Sequence, residues 1–206
     1  MAILSFDIPT PARRTRWGLA WLAGALCLLL TAQPATADTS VRSFDFVGQT
    51  YRLGKIEQIA NGDGFYFAPG GQNPDDATEE IILNVYDRQD QQGKSITADG
   101  LAESMLGQAK GRGATTVLPF KVPDAANKHR FVYYLTMYYL YPQDGNGDIW
   151  LSKILQSGDH VVGILYKHRI DGADANAIAE NARAWLLENV KQYSAALDTV
   201  AIPGRK

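Results

Sequence analysis

The 206-residue chain has one cysteine, Cys27, inside an apolar N-terminal stretch. Everything downstream is free of thiols, which excludes disulfides, thiolate metal sites and thiol catalysis there. Histidine is also scarce. His129, His160 and His168 are the only three, and none falls at a His-x-x-x-His or His-Glu-x-x-His spacing. No Gly-x-Ser-x-Gly sequence is present, so the strand-turn-helix presentation of a serine nucleophile is missing. The glycines of Gly107 to Gly113 close a predicted helix, whereas a phosphate-binding loop opens one. There is no long basic run, internal repeat or low-complexity linker. Nucleic acid is therefore not an expected partner, and neither a metal nor a cofactor is expected.

What is present begins with a three-zone N-terminus. Arg13, Arg14 and Arg16 precede the apolar stretch Gly18 to Ala32, and Ala35-Thr36-Ala37 supplies a small-x-small site before polar sequence from Asp38. That order predicts a secretory signal peptide over residues 1–37, cleaved after Ala37. The apolar stretch is shorter than the roughly 20 residues that cross a bilayer, so no stable membrane anchor is expected after cleavage. Arg16-Trp17 follows the arginine pair where a twin-arginine signal turns apolar, which favours the general export route. Cys27 follows Gly24-Ala25-Leu26, with no leucine three residues before it, and does not fit a lipidation site. The expected location is periplasmic or secreted. Without residues 1–37, which hold Arg13, Arg14, Arg16 and Asp7, the charge is 17 basic against 21 acidic side chains, a net of −4. About 169 residues remain, enough for one domain with its own core over 38–200, followed by a flexible tail over 201–206.

Apolar periodicity orders that domain. Phe44, Phe46, Tyr51 and Leu53 alternate around Gly48-Gln49 and predict a hairpin. A further β segment runs from Lys55 to Ile59, and Asn61-Gly62-Asp63-Gly64 predicts a turn before Phe65-Tyr66-Phe67. Ile81 to Tyr86 reads as a buried strand. Thr97 is placed to cap a helix that carries Leu101, Met105, Gln108 and Ala109 on one face and stops at Gly111 and Gly113. Strands are predicted over 130–141, 149–156 and 160–170, joined by short turns and hence antiparallel. A last helix carries Ile178, Ala182, Trp185, Leu186, Val190, Tyr193 and Leu197 on one stripe, with Asp171 or Asp174 as its cap and Trp185 expected in the core. The expected fold is α+β, an antiparallel sheet flanked by helices in the order β-β-β-α-β-β-β-α.

Two patterns qualify as candidate sites. Asp144-Gly145-Asn146-Gly147-Asp148 has oxygen ligands at alternate positions, as a calcium loop begins, but Ile149 and Leu155 stand where glycine and a bidentate glutamate are needed. It reads as a turn. The run Phe131 to Tyr141 holds five tyrosines and alternates Phe131, Tyr133, Leu135, Met137, Tyr139 and Tyr141 against Val132, Tyr134, Thr136, Tyr138 and Leu140. Buried hydroxyls need partners, so a strand this rich in tyrosine suggests a sheet mouth that binds a ligand. The expected ligand-binding residues are Tyr133, Tyr134, Tyr138 and Tyr139, with Asp144 and Asp148 as acceptors on the rim. No catalytic residue is expected.

The strand and helix order resembles the PsbP-like fold of photosystem extrinsic proteins and many small exported bacterial proteins. Phe67-Ala68-Pro69-Gly70-Gly71-Gln72 followed by Glu79 to Tyr86 is similar to a Pro-Gly-Gln loop that precedes a strand in such proteins. A tryptophan often stands before that strand, where this chain has Ala77. The resemblance implies a non-enzymatic binding or assembly module, and the first expectation is one that binds a protein, an envelope component or polymer, or a small apolar ligand. The alternatives are an envelope hydrolase whose acidic or histidine site assembles only in three dimensions, and a periplasmic immunity-type inhibitor.

Overall fold

A computed structural model describes residues 41–203 apart from 91 and 126, and omits the side chains of 116 and 117. The expected leader over 1–37 and residues 204–206 lie outside the described residues. Eight strands form one antiparallel sheet: β1 (Ser43–Phe46), β2 (Gln49–Ile59), β3 (Gly62–Pro69), β4 (Glu79–Asp87), β5 (Thr115–Pro123), β6 (Phe131–Tyr141), β7 (Asn146–Ser157) and β8 (His160–Asp171). Their spatial order is β1-β2-β3-β4-β8-β7-β6-β5. Helix α1 (Ala98–Gly111) follows β4, and α2 (Ala175–Ala196) follows β8. No helix among the described residues is long and apolar enough to cross a membrane.

The class is α+β as expected, but each helix follows four strands, not three. The extra strand of the second half is β5. Pro119 and Pro123 make it look like a connection, yet β5 is an edge strand, where the missing amide donors are tolerated. In the first half, Lys55–Ile59 is no separate element. It continues Gln49–Leu53 across a bulge at Gly54, where the register slips between Leu53 and Lys55. A Cβ at Gly54 would stand 2.6 Å from Pro74 Cδ, so glycine is needed there. The bulge also exchanges faces: Leu53 pairs with Phe67, but Lys55 pairs with Tyr66 on the opposite face. The first hairpin turns at Val47-Gly48, one residue earlier than expected, with both residues at positive φ.

Two cores result, one per sheet face. Phe65, Phe67, Ile81, Leu83, Ile149, Leu151, Val162, Ile164 and Tyr166 pack under α2 with Ile178, Ala182 and Leu186. Ile82, Leu135, Met137, Ile154, Val161 and Leu165 face the other way, under α1 with Leu101, Ala102 and Ala109. Thr97 caps α1 through Gly100 N at 3.1 Å. Asp174 caps α2 through Asn176 N and Ala177 N, both at 2.9 Å. Trp185 is half-buried and not enclosed: its ring covers His168 at 4.7 Å and Tyr166 at 6.0 Å. Beyond α2, Ile202 packs against the core and Pro203 is buried, so the chain stays packed past Ala201.

Helix α1 sits on β5, β6 and β7. A sheet of eight strands is about 34 Å wide, and one helix covers about 10 Å of it. The α1-side face of β3 and β4 therefore extends beyond the helix.

Candidate functional site

That overhang encloses a cavity of about 180 Å³ between α1, the sheet and the β2–β3 hairpin. The cross-strand registers explain why it exists. One row on this face reads Glu57, Gly64, Asn84, Gly163, Ile154, Tyr133 from β2 across to β6. Asn84 is thus flanked on both sides by glycine. A Cβ at Gly163 would meet only Leu101 Cδ2, at 3.8 Å, so the missing side chain leaves space beneath the helix. The next row reads Tyr66, Ile82, Leu165, Ser152, Leu135, which places the Ser152 hydroxyl between two leucines.

The lining is mostly apolar or aromatic. Tyr66, Tyr86, Tyr139 and Trp150 contribute rings, and Met105 and Met137 contribute sulfur. The helix residues Leu101, Met105, Gln108 and Ala109, which the sequence places on one face, all border it. Exposed Glu57, Gln58 and Ala60 mark the mouth, whereas Met137 and Ile154 at its floor are fully buried. No lysine, arginine or histidine lines it among the described residues.

Three lining residues carry buried polar atoms with no protein partner: Asn84 Oδ1, Ser152 Oγ and Trp150 Nε1. The Asn84 side chain bonds the Tyr86 hydroxyl, whose pKa burial drives up, but its oxygen is left over. The Trp150 N–H lies toward Asp148 without reaching hydrogen-bond geometry. Such atoms are rare, because an unmet buried donor or acceptor costs about 1–3 kcal/mol.

The residues expected from the tyrosine strand do not form one site. Alternation divides them between the faces, as the pattern requires. Tyr139 faces α1 and lines the cavity, with its hydroxyl directed to Met137 Sδ at 3.6 Å. Tyr133 shares that face farther out and donates to Asp99 Oδ1 at the start of α1. Tyr138 is buried in the α2-side core. Tyr134 also faces α2 and donates to Asp198 Oδ1 at 2.6 Å, beside the Lys153–Asp198 ion pair at 2.7 Å. Asp144 is exposed in a 3₁₀ turn. Asp148 is in β7, not in the loop as expected. Its carboxyl is pushed above the usual range by burial, against the opposing charges of Lys167 and Arg169.

A second polar cluster forms on the α2 side. Glu79 accepts from Tyr51 Oη at 2.8 Å, and lies 3.1 Å from both Tyr166 Oη and His168 Nδ1. These bonds, His168 first, hold its carboxyl below the usual range despite burial. Here a glutamate and a histidine meet in space with nothing in their spacing to announce it. However, the carboxylate is fully engaged by protein donors and the histidine ring is covered by Trp185, so the cluster fastens α2 to the sheet. A shallow groove between β5 and the end of α2 exposes Leu118 and Phe120.

No family model matches the chain, and no curated protein matches it. Among solved structures it is similar to a Pseudomonas aeruginosa protein of unknown function, PA94, at 12% identity over 79% of this chain and 96% of that one, with a TM-score of 0.42. A likeness at that level carries no weight for function.

Proposed function

We propose that the protein is an exported, non-enzymatic binding module, and that the cavity beneath α1 is its site for a small apolar ligand. One observation carries the reading: Ser152 and Asn84 present polar atoms without partners inside a mostly apolar, preformed cavity. A few polar groups set in an apolar lining are the usual makeup of a small-molecule site. The size suits one ring, since a cavity of about 150 Å³ lined by apolar residues takes up benzene. Ser152 has no histidine or carboxylate partner to activate it, which supports binding over hydrolysis. Export is supported by the arginines, apolar stretch and Ala35-Thr36-Ala37 site of the first 37 residues. The PsbP-like resemblance, in so far as the Pro69-Gly70-Gly71-Gln72 loop before β4 carries it, belongs to the same reading.

Toluene tests the reading. Trp185→Phe leaves Trp150, in the lining, as the sole tryptophan of residues 38–206. Toluene should change its emission saturably, and Gly163→Val, which fills the space under Leu101, should abolish the change. No saturable response from a folded protein overturns the proposal.

A further inference from the structure

We infer that the cavity selects uncharged aromatic molecules that carry a hydrogen-bonding group at each end of one ring. The inference rests on the cavity being a ligand site, and it concerns which ligand the site prefers.

Charge is decided by the lining. Among the described residues Glu57 is its only carboxylate, and it stands exposed at the mouth, paired with Lys55 at 3.2 Å. An anion on the cavity floor would lose its hydration and find no cation, so it should be refused. A cation would have to leave Glu57 and water behind to reach the same depth, at a similar loss. A second ion pair on this face, Lys167 with Glu80 at 3.1 Å, is already complete.

Ring character is decided by what surrounds the void. Tyr66, Tyr86, Tyr139 and Trp150 offer edges and faces to a flat guest. Met105 and Met137 add thioethers, which pack well against rings and adapt to their outline.

The placement of the polar groups is decided by the register. Asn84 is opposite Gly163, which is opposite Ile154, and Ser152 is one row along β7 from Ile154. Two strand spacings and one row separate the two residues, about 12 Å between Cα atoms. No single small polar group can reach both side chains. A ring with a group at each end can. Asn84 Oδ1 only accepts, so the guest must donate to it. Ser152 Oγ can donate or accept, so the far group is less restricted.

The test is a titration of the protein with four probes of similar size: 4-hydroxybenzamide, toluene, 4-hydroxybenzoate and 4-hydroxybenzylamine. Two satisfied hydrogen bonds should make 4-hydroxybenzamide bind about tenfold more tightly than toluene. The anion and the cation should bind more weakly than toluene. Ser152→Ala and Asn84→Leu each keep the cavity's shape while removing one polar atom. Each should lower affinity for 4-hydroxybenzamide severalfold and leave toluene unchanged. Equal affinity for toluene and 4-hydroxybenzamide, or a preference for either ion, overturns the inference while leaving the cavity a ligand site. Binding of none of the four overturns the site as well.

Discussion

Two glycines of the sheet should respond to the same substitution with opposite signs. Gly163 and Gly62 both lie within strands on the α1-side face. Gly163 is beneath the void, where a Cβ meets nothing closer than 3.8 Å. Gly62 is pressed against β4, where a Cβ would stand 2.1 Å from the Val85 carbonyl oxygen. Valine at Gly163 adds three carbons to an apolar space that can hold them. Burying that side chain is worth about 2 kcal/mol, and loss of glycine's freedom in the unfolded chain adds about 0.5 kcal/mol. Ordering the new side chain costs well under 1 kcal/mol, so Gly163→Val should stabilise by about 2 kcal/mol. For a domain of this size that raises Tm by about 4–8 °C. Valine at Gly62 would displace β4 backbone, so Gly62→Val should be destabilised by more than about 3 kcal/mol or fail to fold. Urea unfolding of the two variants beside wild type measures both effects. If Gly163→Val loses stability as Gly62→Val does, the space beneath Leu101 does not exist and the cavity falls with it.

Three further outcomes are expected. Trp185→Ala should lower stability by about 2–3 kcal/mol in urea unfolding, below the range for a fully buried tryptophan, because the ring is half-buried over His168 and Tyr166. A loss under 0.5 kcal/mol would mean that the stacking does not hold α2 in place. Glu79 has a lowered pKa in the folded state, so its contribution is present above the ordinary glutamate range, near pH 4, and is lost as pH falls through the folded value. The stability gap between wild type and Glu79→Gln should therefore narrow between pH 7 and pH 3, and a constant gap would dismiss the network. N-terminal sequencing of the exported protein should begin at Asp38, and a chain still carrying Arg13 would refute cleavage after Ala37.

Much of the architecture could be read from spacing alone because it depends on local rules. Thr97 and Asp174 cap the helices they were expected to cap, and Gly113 takes the left-handed conformation just past α1. The alternation of Phe131 to Tyr141 assigns faces correctly. Reading failed where a non-local partner changes the rule. β5 was hidden by prolines that only an edge position permits. The bulge at Gly54 moves Glu57 and Ile59 onto the cavity side, which alternation counted from Tyr51 would deny them.

Local chemistry in the sequence alone settled that residues 38–206 are thiol-free and mildly acidic, and pointed to antiparallel strands with two amphipathic helices. Caps, turns and periodicity act over a few residues, so a one-dimensional reading reaches them. The cavity belongs to tertiary structure. Its floor joins Gly64, Asn84, Gly163 and Ser152 from four strands that are up to 99 residues apart in the chain. Each is unremarkable in its own segment. Only strand register makes Asn84 a polar group between two glycines, and only the narrowness of α1 against a wide sheet leaves the space above it unfilled.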